Sequence, residues 1–329
     1  MTRKKKITLG LIGVLLAGLA LLTYIRWEVW FGNPPEAPYT APAVPSRVLL
    51  TFGNEGALSR NVSWQCDSVL QTSYLELGDE NDTAIIDIPA TGEVFTSRSG
   101  KAAFYVARLT NLNHGQCYRY RVVTGGKCSP WYSFVAHDAG RNQDFSFLYF
   151  GDVQDSLGGI AHQEIMKAWC EHPEVDFAVF GGDLTERPTD EYWNETFRDL
   201  DTIGQQLPIL CATGNHEYLK YPIRRLERRF SLVFSYFLQS MVGENQVYAL
   251  NYGNLQLCLL DSNREWPYLM QQKTWLEEQM KHSPARWNVV VLHHPIYSAK
   301  SSSNNLTQRW AFASTLNAYA DLVLQGREH

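Results

Sequence analysis

From about residue 145 onward, hydrophobic segments of strand length alternate with amphipathic segments of helix length. This alternation is typical of a layered α/β domain. A hairpin is predicted where Gln246–Asn251 and Leu255–Leu260 flank a Tyr-Gly-Asn turn, so we expect a mixed sheet. The other predicted strands are Phe145–Phe150, Asp176–Phe180, Pro208–Ala212, Gln256–Leu260, Asn288–Leu292 and Asp321–Leu324. The predicted helices cover about 158–171, 189–203, 222–240, 267–282 and 307–320.

Five of these strands are followed by polar side chains of the kinds that bind metals. In an open α/β sheet, ligands bind beyond the carboxyl ends of the strands, so we expect these loops to converge. Carboxylate, amide and imidazole groups suit Zn, Mn or Fe. Each motif alone is more often a turn or a core residue, but five in series favour a metal site. The five are Phe150-Gly-Asp152-Val-Gln154, Gly181-Gly-Asp183-Leu-Thr-Glu186, Thr213-Gly-Asn215-His216-Glu217, His293-His294-Pro295 and Gly326-Arg-Glu-His329.

The preceding part of the chain, residues 45–138, has a different pattern. Short strands follow one another between about Ser46 and Phe134, separated by Gly, Asn and Asp and without helical runs. This spacing suggests a β-sandwich. Trp64 on an early strand, and Tyr118 or Tyr120 as a corner tyrosine, resemble a fibronectin type III-like domain.

The order Gly-Asp, Gly-Gly-Asp, Gly-Asn-His-Glu, His-His-Pro and Gly-x-x-His resembles the calcineurin-like metallophosphoesterases. With the sandwich in front, the chain is similar to the purple acid phosphatases over about residues 44–329. The resemblance implies a two-sheet core flanked by helices, at residues 139–329, that holds two metal ions (Fe, Zn or Mn). It also implies a phosphoric ester hydrolase, in which a metal-bound hydroxide attacks a phosphate monoester or diester in line.

The same resemblance implies a role for each motif residue. Asp152 and His329 would bind the first metal, and Asp183 would bridge both ions. His293 would bind the second metal, and Gln154 stands where many relatives have a ligating His. The remaining two positions act on the substrate: Asn215 would bind the second metal and the phosphate, and His216 would contact the phosphate or protonate the leaving group.

Two further departures from the family pattern bear on activity. Glu186 stands where the purple enzymes have a metal-binding Tyr, so no tyrosinate colour is expected. Arg327 replaces a second-metal His with a permanent cation that cannot deprotonate. The chain also ends at His329, before the strands that usually follow, and therefore looks truncated. Two other functions stay open: a pseudoenzyme or fragment with a damaged second metal site, and a surface binding protein that uses its sandwich domain.

The N-terminus predicts a membrane segment. Basic residues from Arg3 to Lys6 precede an uncharged run from Ile7 to Ile25, which as a helix nearly spans the hydrocarbon core of a bilayer. Trp27 and Trp30 suit the membrane interface. Residues 1–30 are therefore predicted to form a cytoplasmic stub and anchor, and the Pro-rich residues 31–44 a stiff linker. The catalytic domain would be periplasmic or extracellular, or secreted if the segment is a cleaved signal peptide.

The composition of the 329 residues narrows the range of partners. A hydrophobic fraction of 45% excludes wholesale disorder, and a formal net charge of −5 argues against a nucleic-acid-binding protein. The expected partners are a phosphorylated small molecule or phosphoprotein, and the membrane. A basic run, Arg224-Arg225-Leu-Glu-Arg228-Arg229, could attract phosphate. The apolar spacing of Ile223, Leu226 and Phe230 favours instead the solvated face of a helix.

Overall fold

A computed structural model describes residues 2–79, 84–138, 140, 143–236, 246–298 and 305–327. The chain begins with two helices, α1 (Arg3–Ile25) and α2 (Trp27–Phe31). No residue of α1 is buried against the rest of the protein, and in the described part it alone is long and apolar enough to cross a membrane.

The next eight strands form the sandwich. Their hydrogen-bonded order is β1-β2-β5-β4-β3-β6-β7, with β8 also paired to β6. β4 joins the two layers, because its first half pairs with β3 and its second half, from Ala90, pairs with β5. The strands are β1 (Ser46–Gly53), β2 (Gly56–Gln65), β3 (Ser73–Asp79), β4 (Ile85–Thr96), β5 (Lys101–Leu109), β6 (Gln116–Thr124), β7 (Lys127–Cys128) and β8 (Tyr132–Ala136).

The two aromatic residues singled out from the sequence lie in this sandwich core. Trp64 is buried and stacks on Tyr105, with ring centroids 5.7 Å apart. The hydroxyl of Tyr118 accepts a hydrogen bond from the backbone amide of Asn113, five residues upstream, at 3.0 Å. Tyr118, rather than Tyr120, therefore makes the tyrosine-corner contact; the Tyr120 hydroxyl instead donates to the carbonyl of Gln205 in the following domain.

The second domain contains two larger sheets and one short β-ribbon. The first sheet is parallel, in the order β11-β10-β9, and the second has the mixed order β14-β15-β16-β17. The strands are β9 (Phe147–Phe150), β10 (Phe177–Phe180), β11 (Ile209–Cys211), β12 (Tyr218–Leu219), β13 (Arg225–Leu226), β14 (Tyr248–Tyr252), β15 (Leu255–Leu259), β16 (Trp287–Leu292) and β17 (Leu322–Gln325). The helices are α3 (Ala161–Glu171), α4 (Asp190–Leu200), α5 (Ile203–Gln206), α6 (Arg228–Val233), α7 (Trp266–Lys281) and α8 (Leu306–Tyr319).

The sheets pack face to face between helices. One hydrophobic cluster joins β9, β10 and β11 to β14 and β15, and takes in α3 and α4. A second cluster packs α7 and α8 on the other side of β15 and β16. This is the helix-flanked, two-sheet core that the resemblance implied, and it brings the ends of both sheets to one edge.

The sequence prediction of a helix over 222–240 is wrong for most of its length. Residues Arg225–Leu226 form strand β13, and the helix α6 covers Arg228–Val233; residues 237–240 lie outside the described part. The basic run is therefore not one solvated helix face. Arg224 is exposed, whereas Arg229 is buried and pairs with Glu36 of the linker at 2.6 Å.

The linker is extended but lies against the protein. The side-chain amide of Asn33 donates to the carbonyl of Lys220 and accepts from its amide, at 2.7 and 2.8 Å. Further along, Ala41 is buried and Pro42 accepts a backbone hydrogen bond from Asp67. The proline pattern predicted an extended segment, but these contacts come from residues that are distant in the sequence.

Candidate metal centre

The register of the sheets aligns the loops that carry the predicted ligands. Phe150, Phe180 and Cys211, at the ends of the first sheet's strands, are neighbours across that sheet. In the second sheet Leu292 pairs with Gln325, and the Gly326 amide donates to the His293 carbonyl. A Cβ built on Gly151 would lie 3.5 Å from Cα of Gly326, so the two sheets meet at this edge.

Three side chains at this edge form a compact cluster. One oxygen or nitrogen atom from each of Asp152, Asp183 and His293 lies within 4.8 Å of the others. Nε2 of His293 is 3.1 Å from Oδ2 of Asp183, and Nδ1 is 3.5 Å from Oδ1 of Asp152. His293 and Asp183 are both buried. The structure thus brings together residues from loops after β9, β10 and β16, with His293 more than 100 positions from the two aspartates.

The backbone at the two aspartates is unusual. Asp152 has φ 45° and Asp183 has φ 51°, in the left-handed region that few non-glycine residues adopt. The loops also approach one another closely: a Cβ on Gly214 would lie 2.1 Å from Oδ1 of Asp183, and one on Gly326 would lie 2.9 Å from Nδ1 of His293. Any side chain at these glycines would displace a member of the cluster, so the local strain serves to aim the carboxylates.

A buried carboxylate that the sequence analysis assigned no role holds two of these loops together. Glu217 accepts hydrogen bonds from the backbone amides of Gly214, Asp183 and Leu184 at 2.7, 3.0 and 2.8 Å, and from Thr185 at 3.1 Å. Burial raises its pKa to about 7. Its position in the Gly-Asn-His-Glu motif was the available signal, but three of its four partners lie more than 30 positions away in the sequence.

The electrostatics of the cluster favour a cation. Burial raises the pKa of Asp183, but hydrogen bonds from the His293 side chain and the His216 amide bring it below its ordinary value. Burial lowers the pKa of His293. The hydrogen bond to Asp183 and the negative charges of Asp183 and Asp152 outweigh this effect and raise the pKa above its ordinary value. The pocket thus stabilises positive charge between two carboxylates, as a bound cation requires.

The residues present fit a transition metal or zinc. Two carboxylates and one imidazole are ligands for Zn, Mn and Fe. The side-chain oxygen Oε1 of Gln154 is buried without a hydrogen-bond partner among the described residues. The backbone amide of Gln154 donates to the backbone carbonyl of Asp183 at 3.0 Å. A buried acceptor of this kind is expected to bind an ion or water that the chain itself does not supply.

His216 and Asn215 lie beside the cluster, in a short 3₁₀ turn after β11. The His216 amide donates to Oδ1 of Asp183 at 2.8 Å, and its Nδ1 lies 2.6 Å from the Glu186 carbonyl. Because a carbonyl oxygen can only accept, Nδ1 carries a proton. Nε2 of His216 then faces the cluster, 3.9 Å from Oδ2 of Asp183.

A cavity of about 680 Å³ opens next to His216 and Asn215. Its walls come from the loop after β10, from the residues near β12, and from the segment that follows α1. Among its lining residues are Glu186, Tyr218 and Arg224. The cavity is large enough for more than a single phosphate group, and it is the approach to the cluster on the His216 side.

The last motif is only partly described. His329 lies outside the described residues, so its predicted ligation has no structural account here. Arg327 is exposed, has φ 67°, and makes no hydrogen bond or ion pair with another described residue. Its charge nevertheless reaches the site: burial, the neighbouring His293 and Arg327 together lower the pKa of His294 to about 3.

Comparison with known proteins identifies both domains. The sequence profile of the calcineurin-like phosphoesterases matches residues 145–329, and that of the purple acid phosphatase N-terminal domain matches residues 45–136. The chain is 24% identical over 190 residues to probable purple acid phosphatase 20 of Arabidopsis thaliana, covering 52% of this chain and 44% of the relative. It is 25% identical over 171 residues to the 3',5'-cyclic adenosine monophosphate phosphodiesterase CpdA of Haemophilus influenzae, covering 48% of this chain and 56% of the relative.

The fold comparison agrees with the sequence profiles. Purple acid phosphatase PPD1 from yellow lupin (Lupinus luteus) superposes with a TM-score of 0.74 at 16% identity, over 88% of this chain and 59% of that structure. The chain spans about half the length of the two curated relatives that it matches in sequence. The resemblance to the calcineurin-like and purple acid phosphatase families is confirmed. Because the sequence identity to the lupin enzyme is 16%, the superposition shows a shared fold.

Proposed function

Because the chain belongs to the calcineurin-like phosphoesterase family, we propose that it hydrolyses phosphate monoesters or diesters at the cluster of Asp152, Asp183 and His293. The observation that carries the proposal is the cluster itself, which places two carboxylates and an imidazole within 4.8 Å at the edge where both sheets end. The family uses two metal ions, and bound ions would polarise the phosphoryl group and make water a better nucleophile.

The ligand assignment follows the position of each side chain. Asp183 lies 3.1 Å from His293 and 3.9 Å from His216, and this central position supports the proposal that it would bridge two ions. Asp152 and Gln154 would bind on the β9 side, and Asn215 on the cavity side together with the phosphate. By the family pattern, His329 would also bind the first ion.

His216 is proposed to move the proton of the reaction. Its Nδ1 proton is fixed on the Glu186 carbonyl, which leaves Nε2 directed at the cluster and the cavity. In its protonated form Nε2 donates to the leaving oxygen, and in its neutral form it accepts a proton again. An imidazole is suited to both steps, because it is the side chain that most often donates or accepts the proton in general acid–base catalysis.

The N-terminal helix is proposed to anchor this domain outside the cytoplasm. The basic residues in the first turn of α1, its length and the absence of any buried residue in it support an uncleaved membrane segment. A cleaved signal peptide is the other outcome and would leave a secreted enzyme. In either case the substrate is a phosphorylated small molecule or phosphoprotein on the exported side.

A pseudoenzyme with a damaged second metal site is the second candidate, and Arg327 is the observation that favours it. Arg327 follows β17 with the same left-handed backbone as Asp152 and Asp183, but it brings a fixed positive charge to a position that holds a ligand in the family. Such a charge opposes a second dication nearby.

Metal removal tests the proposed function. The full chain should hydrolyse an aryl phosphate, lose this activity after chelation and dialysis, and regain it when Zn, Mn or Fe is returned. The physical reason is that two carboxylates and an imidazole alone supply no Lewis acid. Activity that persists at full rate in the metal-free protein would contradict the proposal. A folded, metal-loaded chain without turnover would support the pseudoenzyme.

A further inference from the structure

The cavity beside His216 is closed on one side by the segment that leaves α1. Glu28, Val29 and the residues from Gly32 to Pro35 line it. Val29 follows the end of α1 at Ile25 by four positions, and a chain extends by at most about 3.5 Å per residue. The part of this wall formed by Glu28 and Val29 therefore lies within about 14 Å of the end of the apolar helix.

This wall is fixed to the catalytic domain through Lys220 and to the sandwich through Arg98. Asn33 pairs with both backbone groups of Lys220, which also lines the cavity. The carbonyl of Pro34 accepts from Arg98, and Arg98 pairs with Glu36 at 3.0 Å. The segment is thus a built part of the cavity, and the distance between the cavity and the helix end is set by short-range structure.

The cavity is lined by unpaired positive charges. Among the described residues, the side chains of Arg187, Lys220 and Arg224 form no ion pair, although all three line the cavity. A cavity with free cations beside a phosphoesterase cluster is expected to bind an anionic substrate at more than one point. The cavity is lined by two acidic residues, Glu28 and Glu186, and by four basic ones, Arg98, Arg187, Lys220 and Arg224.

Residues adjacent in sequence to the cavity lining expose apolar side chains. Tyr221 is 43% exposed and Ile223 is 63% exposed, and they alternate with the lining residues Lys220 and Arg224. Trp27 and Trp30, on the helix α2 that also forms the wall, are 47% and 43% exposed. Aromatic and aliphatic side chains interleaved with basic ones are typical of surfaces that lie at an anionic membrane interface.

We propose that the cavity takes the phosphorylated headgroup of a membrane lipid, presented from the bilayer in which α1 sits. The inference rests on the proposed function and names the substrate class of the same site. Water adds to the phosphorus, the bond from phosphorus to the lipid oxygen breaks, and that oxygen takes a proton. The products are inorganic phosphate and a lipid alcohol that stays in the membrane, so no oxidant or further reactant is needed.

The test compares a lipid and a soluble substrate on one preparation. The full chain, reconstituted in vesicles that contain phosphatidic acid, should release phosphate from this lipid with a kcat/KM at least tenfold above that for glycerol 3-phosphate in solution. An aryl phosphate measures the chemistry without a headgroup. Hydrolysis of the aryl phosphate and glycerol 3-phosphate without this lipid preference would overturn the lipid inference and leave the proposed function standing. Hydrolysis of none of the three by metal-loaded protein would overturn both.

Two further comparisons test separately whether lipid turnover depends on the distance between the cavity and the bilayer and on a cation that lines the cavity. A flexible insertion of about 20 Gly and Ser residues between Arg26 and Trp27 would move the cavity away from the bilayer. It should lower lipid turnover at least tenfold and leave aryl phosphate turnover within twofold. Equal lipid turnover in the insertion variant would contradict the inference.

The second comparison uses two neighbouring arginines. Arg224→Gln removes a cation that lines the cavity, whereas Arg225→Gln removes the same charge from an exposed residue that stacks on Tyr221 outside the cavity. The first substitution should raise the KM for the lipid about fivefold or more, and the second less than twofold. Equal effects of both would show general surface attraction and would overturn the assignment of the headgroup to this cavity.

Discussion

Arg327 separates this site from the family pattern at the scale of single residues. It is exposed and makes no contact with the cluster in the described part of the chain, yet its charge contributes to the low pKa of His294. A guanidinium stays protonated at any physiological pH and cannot bind a metal. We therefore expect the second ion to bind weakly and the first to bind more tightly, at Asp152, Asp183 and their neighbours.

Arg327→His should raise the number of tightly bound metal ions. We expect fewer than two ions per chain in the unmodified protein at saturating Zn or Mn, and a value closer to two in the variant, together with faster aryl phosphate hydrolysis. The substitution removes a cation that repels the metal ion, and it supplies a neutral imidazole that can bind the ion. Metal content of the purified protein measures the first effect, and turnover measures the second.

The matched control is Arg286→His. Arg286 is exposed at the opposite end of β16 from His293, so the same substitution there should change neither stoichiometry nor rate. Two tightly bound ions in the unmodified chain would contradict the electrostatic argument and remove the basis for a pseudoenzyme.

The site shows what single residues in a sequence can and cannot predict. The positions of Asp152, Asp183 and His293 after hydrophobic strands were enough to expect convergence, because the ends of parallel strands share an edge. The role of Glu217 could not be predicted in this way. Three of its four hydrogen-bond partners are backbone amides of another loop, and backbone groups leave no signal in the residue pattern.

At the scale of elements, α6 is held by a buried network of charges. Arg229 pairs with Glu36 at 2.6 Å and with Asp190 at 3.1 Å, and Arg47 pairs with Asp190 at 2.8 Å. The Glu227 side chain begins α6 by accepting from the Arg229 amide. The network therefore joins the linker, the sandwich and the catalytic domain. Burial raises the pKa of Glu227 to about 7.

Glu227→Gln should change how stability depends on pH. Because the folded-state pKa of Glu227 lies above its unfolded value of 4.5, its contribution is fully present below about pH 4.5 and is lost as the pH rises through about 7. The unfolding free energy of the unmodified chain should thus fall, relative to that of the variant, by up to about 3 kcal/mol across this range. Urea unfolding in detergent at pH 5 and pH 7.5 measures the difference.

Glu55→Gln is the control for this measurement. Glu55 is exposed in the turn between β1 and β2, so its replacement should leave the pH dependence of unfolding as it is in the unmodified chain. If Glu227→Gln and the unmodified chain showed the same pH dependence, the raised pKa of Glu227 in the folded state would be wrong.

The same region explains why one helix prediction failed. Ile223, Leu226 and Phe230 are spaced as on a helix, and local periodicity alone favours one. The structure instead uses Arg225–Leu226 as a strand paired with β12, and turns Arg229 inward to meet acidic residues from the linker and from α4. Contacts between distant parts of the chain outweighed the local pattern, and the sequence does not display such contacts.

At the scale of the whole molecule, the sandwich and the catalytic domain share a packed interface. Phe52 of the sandwich contacts Phe177 and Tyr252, with ring centroids 5.6 and 5.9 Å apart. The side chain of Asn61 donates to the carbonyl of Ser235 at 2.7 Å. The change of pattern near residue 139 indicated two domains. It did not indicate that the linker would run back along them to the cavity.

Metal binding and hydrolysis are expected to depend on Asp183 above all, because it contacts both His293 and His216. The most direct test is to measure metal content and aryl phosphate turnover in Asp183→Asn beside Asp201→Asn. Asp201 has a similar left-handed backbone, φ 41°, but is exposed at the end of α4 and does not belong to the cluster. We predict that Asp183→Asn loses bound metal and at least 100-fold in rate, about 2.7 kcal/mol, while Asp201→Asn stays within twofold of the unmodified chain. Metal content and rate within threefold of the unmodified chain in Asp183→Asn would contradict the account.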